Sequence, residues 1–160
     1  MKELNIALIE MGHWHGPMYI EALNDIGINI TAISDRSEDV ISKWGAELDC
    51  ATYNSYVELL DSEEVDFVFA FGRHCDMLNI VKELVSRDMP FAIEKPMALH
   101  WEALKEVAEK VNSKELFVGV AFVRRLDEIT ETFMSLRDEG KLGYITHYHS
   151  RFIGGPTSRY

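Results

Sequence analysis

A lysine held between a buried strand and a proline can do chemistry that a lysine on an open surface cannot. Phe91-Ala92-Ile93 forms a short apolar strand that runs straight into Glu94-Lys95-Pro96. In an open α/β sheet, the carboxyl ends of the strands are where the ligand crevice lies. A partly desolvated ammonium at that position lowers the cost of a developing alkoxide while hydride leaves the adjacent carbon. The competing reading is a surface lysine paired with Glu94. The bond before Pro96 can be cis, because an X-Pro bond loses little by it.

A second group of residues stands far upstream, where the turn Gly12-His13-Trp14-His15-Gly16 follows an apolar strand. A turn that cradles a pyrophosphate needs glycine where backbone amides approach the phosphates, and a helix N-terminus whose dipole favours negative charge. Gly12 meets the central requirement, and Gly16-Pro17 suits a tight entry into a helix. In the GxGxxG frame, however, the first glycine falls at Glu10 and the third at His15. Glu10 sets a carboxylate near the phosphates, a repulsion to be relieved by pointing away or by pairing with His13 or His15. An ordinary strand-to-helix turn could carry the same residues. Asp35 ends the second strand, where an acidic side chain accepts hydrogen bonds from the ribose hydroxyls of a dinucleotide or, alternatively, caps a turn. Arg36 and Ser37 beside it could accommodate a 2′-phosphate, so the expected cofactor is NAD, with NADP left open. His13, Trp14 and His15 are expected to line the same crevice.

The elements that must position these groups are legible as alternation. Apolar runs of strand length alternate with stretches of helical period, the pattern of a doubly wound, mostly parallel sheet with helices on both faces. The expected strands are Leu4 to Glu10, Asn29 to Ser34, Ala51 to Tyr53, Val65 to Phe71, Phe91 to Glu94, Leu116 to Phe122 and Tyr144 to Phe152. Helix faces directed at the core are read at Tyr19, Ala22, Leu23 and Ile26; at Ile80, Val81, Leu84 and Val85; at Trp101, Leu104, Ala108 and Val111; and at Leu126, Ile129, Phe133 and Leu136. Ser55 with Glu58 suggests a capping box, and Gly140 and Gly143 bracket a helix stop.

Size and charge narrow the partners. At 160 residues with an apolar share of 47%, the chain can bury one sizeable core. Its net charge of −11 argues against nucleic acid or an anionic membrane surface and for a small-molecule ligand. No apolar run approaches the roughly 18 residues needed to span a bilayer, which suggests a cytoplasmic protein. Cys50 and Cys75 form no CxxC pair and read as reduced thiols. The pairs His13/His15 and His147/His149, with His74-Cys75-Asp76, carry metal-ligating types, yet a metal needs three or four of them to converge. No metal site is expected.

Taken together, the first strand and turn, Asp35, the strand Val65 to Phe71 with its loop, Glu94-Lys95-Pro96, the strand through Gly119 and the pair Arg124-Arg125 resemble the N-terminal half of the glucose-fructose oxidoreductase and inositol dehydrogenase family of NAD(P)-dependent oxidoreductases. The resemblance implies a Rossmann domain over 1–143, with 144–160 beginning the connection to a C-terminal substrate domain. It implies that Lys95 lies beside the nicotinamide and holds the reacting hydroxyl of a sugar, polyol or related small molecule. It further implies cofactor contacts from Phe71, Gly72, Arg73, His74, Glu94 and Pro96. That loop departs from the Thr-Pro-Asn common in the family. The resemblance also implies that the proton acceptor and most of the pocket come from the second domain, so these 160 residues alone are not expected to be a competent enzyme, and the complete protein is expected to be a homo-oligomer. Two other readings compete: a dinucleotide or ligand sensor of the same fold without catalysis, prompted by Glu10 and His15, and a methyltransferase, in which Glu-Lys-Pro has no role.

Overall fold

The computed structural model describes residues 4–151. Six strands, β1 (Ile6–Ile9), β2 (Ile30–Ser34), β3 (Ala51–Tyr53), β4 (Phe67–Ala70), β5 (Phe91–Ile93) and β6 (Val118–Val120), form one sheet in the order β3-β2-β1-β4-β5-β6. Every neighbouring pair is parallel. Parallel strands are joined by crossovers, which here are the helices α1 (Gly16–Asp25), α2 (Glu38–Leu48), α3 (Tyr56–Ser62), α4 (Met77–Ser86) and α5 (Trp101–Ser113). This is a Rossmann-type sheet, wound in both directions from β1.

Winding both ways covers both faces, and that explains why β1 is apolar throughout instead of alternating. Ile6 and Leu8 join Ile20 and Leu23 of α1 and Trp44 of α2 in one core. Ala7 and Ile9 point the opposite way, into a second core with Leu59 of α3, Ile80 and Leu84 of α4, and Val107 of α5. Two glycines allow close approach: a Cβ at Gly45 would lie 2.3 Å from Thr52 Cγ2, and one at Gly72 would lie 2.4 Å from Ile80 Cδ1. Ser55 caps α3 by accepting from the Val57 amide at 3.3 Å, so the cap forms one residue short of the Glu58 amide that a capping box uses.

Several expectations shift in phase. α4 buries Ile80, Val81, Leu84 and Val85 as expected. In α1, Ile20 is buried while Ala22 and Ile26 are exposed, and in α5 Val107 is buried while Trp101 and Ala108 are exposed. The expected faces hold in part, with Leu23 buried and Tyr19 and Val111 packed against the cores, while an apolar residue at a helix end, such as Ile26 or Trp101, lies beyond the strands it would cover.

The chain divides into two compact units, with the break between Ala121 and Phe122. The second unit holds a 3-10 turn, Val123–Leu126, and helix α6 (Glu128–Asp138), capped by Asp127 Oδ1 accepting from the Thr130 amide at 2.8 Å. Gly140 and Gly143 both take positive φ, as the helix stop required. The seventh strand is a correction: residues 144–151 form no strand, and Phe152 lies outside the described residues. A strand exists only against a ladder partner, and none of the described residues of this unit supplies one. Among the described residues no helix is long and apolar enough to cross a membrane.

Candidate functional site

Register brings distant residues to one edge of the sheet. Ile9 is level with Ser34 on one side and Ala70 on the other, and Ala70 is level with Ile93. The ladder continues one step further, with the Glu10 amide donating to Ser34 O at 2.8 Å, Phe71 to Ile9 O at 3.0 Å and Glu94 to Ala70 O at 3.0 Å. Glu10, Asp35, Phe71 and Glu94 therefore leave four adjacent strand ends together. This is the carboxyl edge at which strand order reverses, between β1 and β4.

Asp35 and the turn after β1 are one structure. The Gly12 amide donates to Asp35 Oδ2 at 2.6 Å, and the Ser37 amide donates to Oδ1 at 2.9 Å. The turn-capping role expected of Asp35 is the one observed, and each oxygen keeps a second lone pair after accepting one amide. Gly12 is needed for the approach, because a Cβ there would lie 3.0 Å from Asp35 Oδ2. The residues thus fit a dinucleotide ribose at Asp35, with an acceptor carboxylate fixed in place and almost fully buried.

Glu10 finds a partner other than the histidines. It is 7% exposed and adopts φ +59°, a left-handed conformation that favours glycine. Its Oε2 lies 3.5 Å from Arg36 Nε, and Arg36 Nη2 reaches Asp76 Oδ2 at 3.0 Å. Burial raises the Glu10 pKa above the ordinary 4.5, with the Arg36 charge opposing the rise. The expected pairing with His13 or His15 is corrected: those rings lie across the turn, beside Glu94 and Phe71.

His13 stacks on Phe71 with centroids 6.3 Å apart, and His15 meets the Trp14 ring at 3.6 Å. The His13 Nδ1 accepts from the His15 amide at 3.2 Å, which assigns the neutral ring its Nε2–H tautomer. Burial lowers the His13 pKa below 6.5, with the His15 charge next in size, Glu94 opposing, and Lys95 and His74 adding to the fall. His15 Nδ1 lies 2.9 Å from Glu94 Oε1 but off the line a hydrogen bond requires, so the contact is one of charge and dipole. Glu94 is 3% exposed; its Oε1 accepts from the Tyr19 hydroxyl at 3.1 Å and its Oε2 from the Lys95 amide at 3.3 Å. Burial, then Glu94, raises the Tyr19 pKa and keeps its proton in place as the donor. Lys95 and Pro96 are exposed, which corrects the expectation of a partly desolvated ammonium, and the bond between them is cis.

A family model described as an oxidoreductase family with an NAD-binding Rossmann fold matches residues 4–122. The chain belongs to this family. The glucose-fructose oxidoreductase and inositol dehydrogenase resemblance is thereby upheld for its NAD-binding Rossmann domain. Among solved structures, myo-inositol 2-dehydrogenase from Lactobacillus plantarum has a TM-score of 0.82 at 22% identity, over 90% of this chain and 43% of that one. An oxidoreductase from Agrobacterium radiobacter in complex with NAD+, L-tartaric acid and magnesium has 0.81 at 20%, over 89% and 42%. The WlbA dehydrogenase from Chromobacterium violaceum, in complex with NADH and UDP-GlcNAcA, has 0.83 at 16%, over 89% and 42%. At these identities the likeness attests the fold. The NAD-binding Rossmann chain spans 42–43% of the length of these relatives. No curated protein matches it.

Within this oxidoreductase domain, the sequence-predicted residues divide by position. Gly12, His13, Trp14, His15, Asp35, Arg36, Glu94, Lys95 and Pro96 stand at or next to the carboxyl edge, with Arg73 and His74 exposed on the loop after β4. Phe71 and Gly72 are buried, so Phe71 acts as packing beneath His13 and Tyr19 and Gly72 as the close approach to α4. Sequence reasoning missed Tyr19, read there only as a core face, and the bridge from Arg36 to Asp76. A polar tip on an apolar helix face one turn after Gly16 was the available signal for Tyr19; nothing local announced Asp76.

Proposed function

We propose that the chain is the cofactor-binding half of a nicotinamide-dependent oxidoreductase that acts on a hydroxyl or carbonyl of a sugar, polyol or related small molecule. One observation carries the reading: Asp35, its two oxygens set by the Gly12 and Ser37 amides, stands at the same sheet edge as Lys95. NAD, when bound, supplies the hydride acceptor. Asp35 accepts the ribose hydroxyls; an unmodified 2′-hydroxyl offers it a proton, whereas a 2′-phosphate offers only acceptors, so NAD is favoured over NADP. Lys95 donates to the reacting oxygen and stabilises the charge that develops there. Glu94 serves from below, receiving the Lys95 amide and gripping α1 through Tyr19. The solved relatives named above, which include an inositol dehydrogenase and NAD+ and NADH complexes, support the class of reaction.

Titration calorimetry of the chain with NADH is the direct test. Binding is expected in the micromolar to low-millimolar range, and no heat at millimolar NADH would remove the cofactor reading. A sensor without catalysis draws on Glu10 and His15 in the turn; NADH binding with no turnover by the complete protein would favour it.

A further inference from the structure

We propose that Glu10 is a specificity residue, which makes the site discriminate against NADP(H) by committing Arg36 to carboxylates of the protein. The inference rests on the cofactor reading above and concerns which form of the cofactor that site takes. Arg36 directly follows Asp35 at the end of β2 and is the cation that a 2′-phosphate at that position would recruit. Its Nε lies 3.5 Å from Glu10 Oε2, a charge contact longer than a hydrogen bond, and its Nη2 lies 3.0 Å from Asp76 Oδ2, so two of its three nitrogens face acids. A phosphate would have to displace a carboxylate to gain the paired contact that an arginine otherwise offers.

The wider charge balance acts in the same direction. Glu10, Asp35 and Asp76 are three carboxylates set against Arg36 and Arg73, and the other four charges all act on Glu10. One negative charge is left uncompensated, and a 2′-phosphate would bring close to two more. Glu10 is the member best placed to tip this balance. It is nearly fully buried and poorly screened, its backbone adopts a conformation glycine favours, and it stands at the first glycine of the GxGxxG frame. A glycine there would leave Arg36 bridged to Asp76 alone, with the local charges in balance.

The experiment compares NADH and NADPH dissociation constants by calorimetry for the unmodified chain, Glu10→Gln and Asp76→Asn. Glu10→Gln keeps the shape and removes the charge. Asp76→Asn attacks the other arm without loss of a helix cap, because the Asp76 side chain makes no capping hydrogen bond to α4. The unmodified chain is expected to bind NADH more tightly than NADPH. Glu10→Gln should narrow that ratio by about tenfold, the effect of deleting one poorly screened charge near a phosphate. Asp76→Asn should narrow it in the same direction, and adding Arg36→Ala to Glu10→Gln should restore most of the discrimination. Ratios unchanged within about twofold in both single variants, or an unmodified chain that prefers NADPH, would overturn the proposal while NADH binding itself still upheld the cofactor reading. Absence of binding to either nucleotide would overturn both.

Discussion

Replacing Gly12 by alanine tests whether the turn after β1 and Asp35 act as one unit. The Gly12 backbone is outside the left-handed region, so alanine adopts it without strain. Through the unfolded chain alone, that change should stabilise by about 0.4–1 kcal/mol. The new Cβ, however, would lie 3.0 Å from Asp35 Oδ2 and 3.6 Å from its Cγ and Oδ1, and Asp35 would have to recede by a few tenths of an ångström. That movement stretches the 2.6 Å bond from the Gly12 amide and pulls on the Ser37 amide bonded to the other oxygen. A hydrogen bond to a charged acceptor contributes about 1.5–3 kcal/mol, so the net loss should be about 1–2 kcal/mol. For a chain of this size the melting temperature should fall by about 2–8 °C. Urea or thermal unfolding of the unmodified chain, Gly12→Ala, Asp35→Ala and the double variant forms the cycle. In the Asp35→Ala background no carboxylate remains to be displaced, so Gly12→Ala should become neutral or stabilising. An equal cost in both backgrounds, or stabilisation of the unmodified chain, would refute the coupling.

Two further outcomes follow from the site. On the proposed function, Lys95→Met in the complete protein should lower turnover by about 10²-fold or more while changing the NADH dissociation constant little, since its ammonium would act on developing charge; undiminished turnover would take Lys95 out of the reaction. His13, whose pKa burial lowers below 6.5, binds fewer protons in the folded chain than in the unfolded one, so its stabilising contribution is present above pH 6.5 and is lost as pH falls from there through its lower folded-state pKa. Glu10, raised by burial, contributes the opposite slope, so the His13 share is read as a difference between two proteins. His13→Asn, which keeps an acceptor for the His15 amide, should lose less stability than the unmodified chain between about pH 7.5 and 5.5. Parallel curves would contradict the burial of His13.

Much of the fold was legible because its signals are local. β3 matches its expected bounds, and β1, β2, β4, β5 and β6 lie inside theirs, because short apolar runs between turn residues mark strands whether they are central and wholly buried, as β1 is, or half-buried at the sheet edge, as β3 and β6 are. The buried face of α4 was equally plain, four apolar residues at one helical spacing. The faces of α1 and α5 were legible only in part: Leu23, Tyr19 and Val111 meet the core as expected, whereas Ile20 and Val107 are buried because the packing against the sheet, which no stretch of ten residues encodes, sets the contact face. The run from Tyr144 has strand-like composition and no partner among the described residues of its unit, and composition cannot supply a partner.

The site divides along the same line. Residue types and order alone determined that a glycine turn, an acid after the second strand and a lysine after the fifth would belong to one parallel sheet, because the alternation of short apolar runs and helical periods allows few other windings. Only the tertiary structure decided who pairs with whom: that the Gly12 amide goes to Asp35, that Glu10 takes Arg36 and passes over the histidines, and that Tyr19 reaches Glu94. A charge buried at a strand end must find its counter-charge across the sheet edge, and which residue arrives there is set by register and loop path, quantities that depend on the whole fold at once.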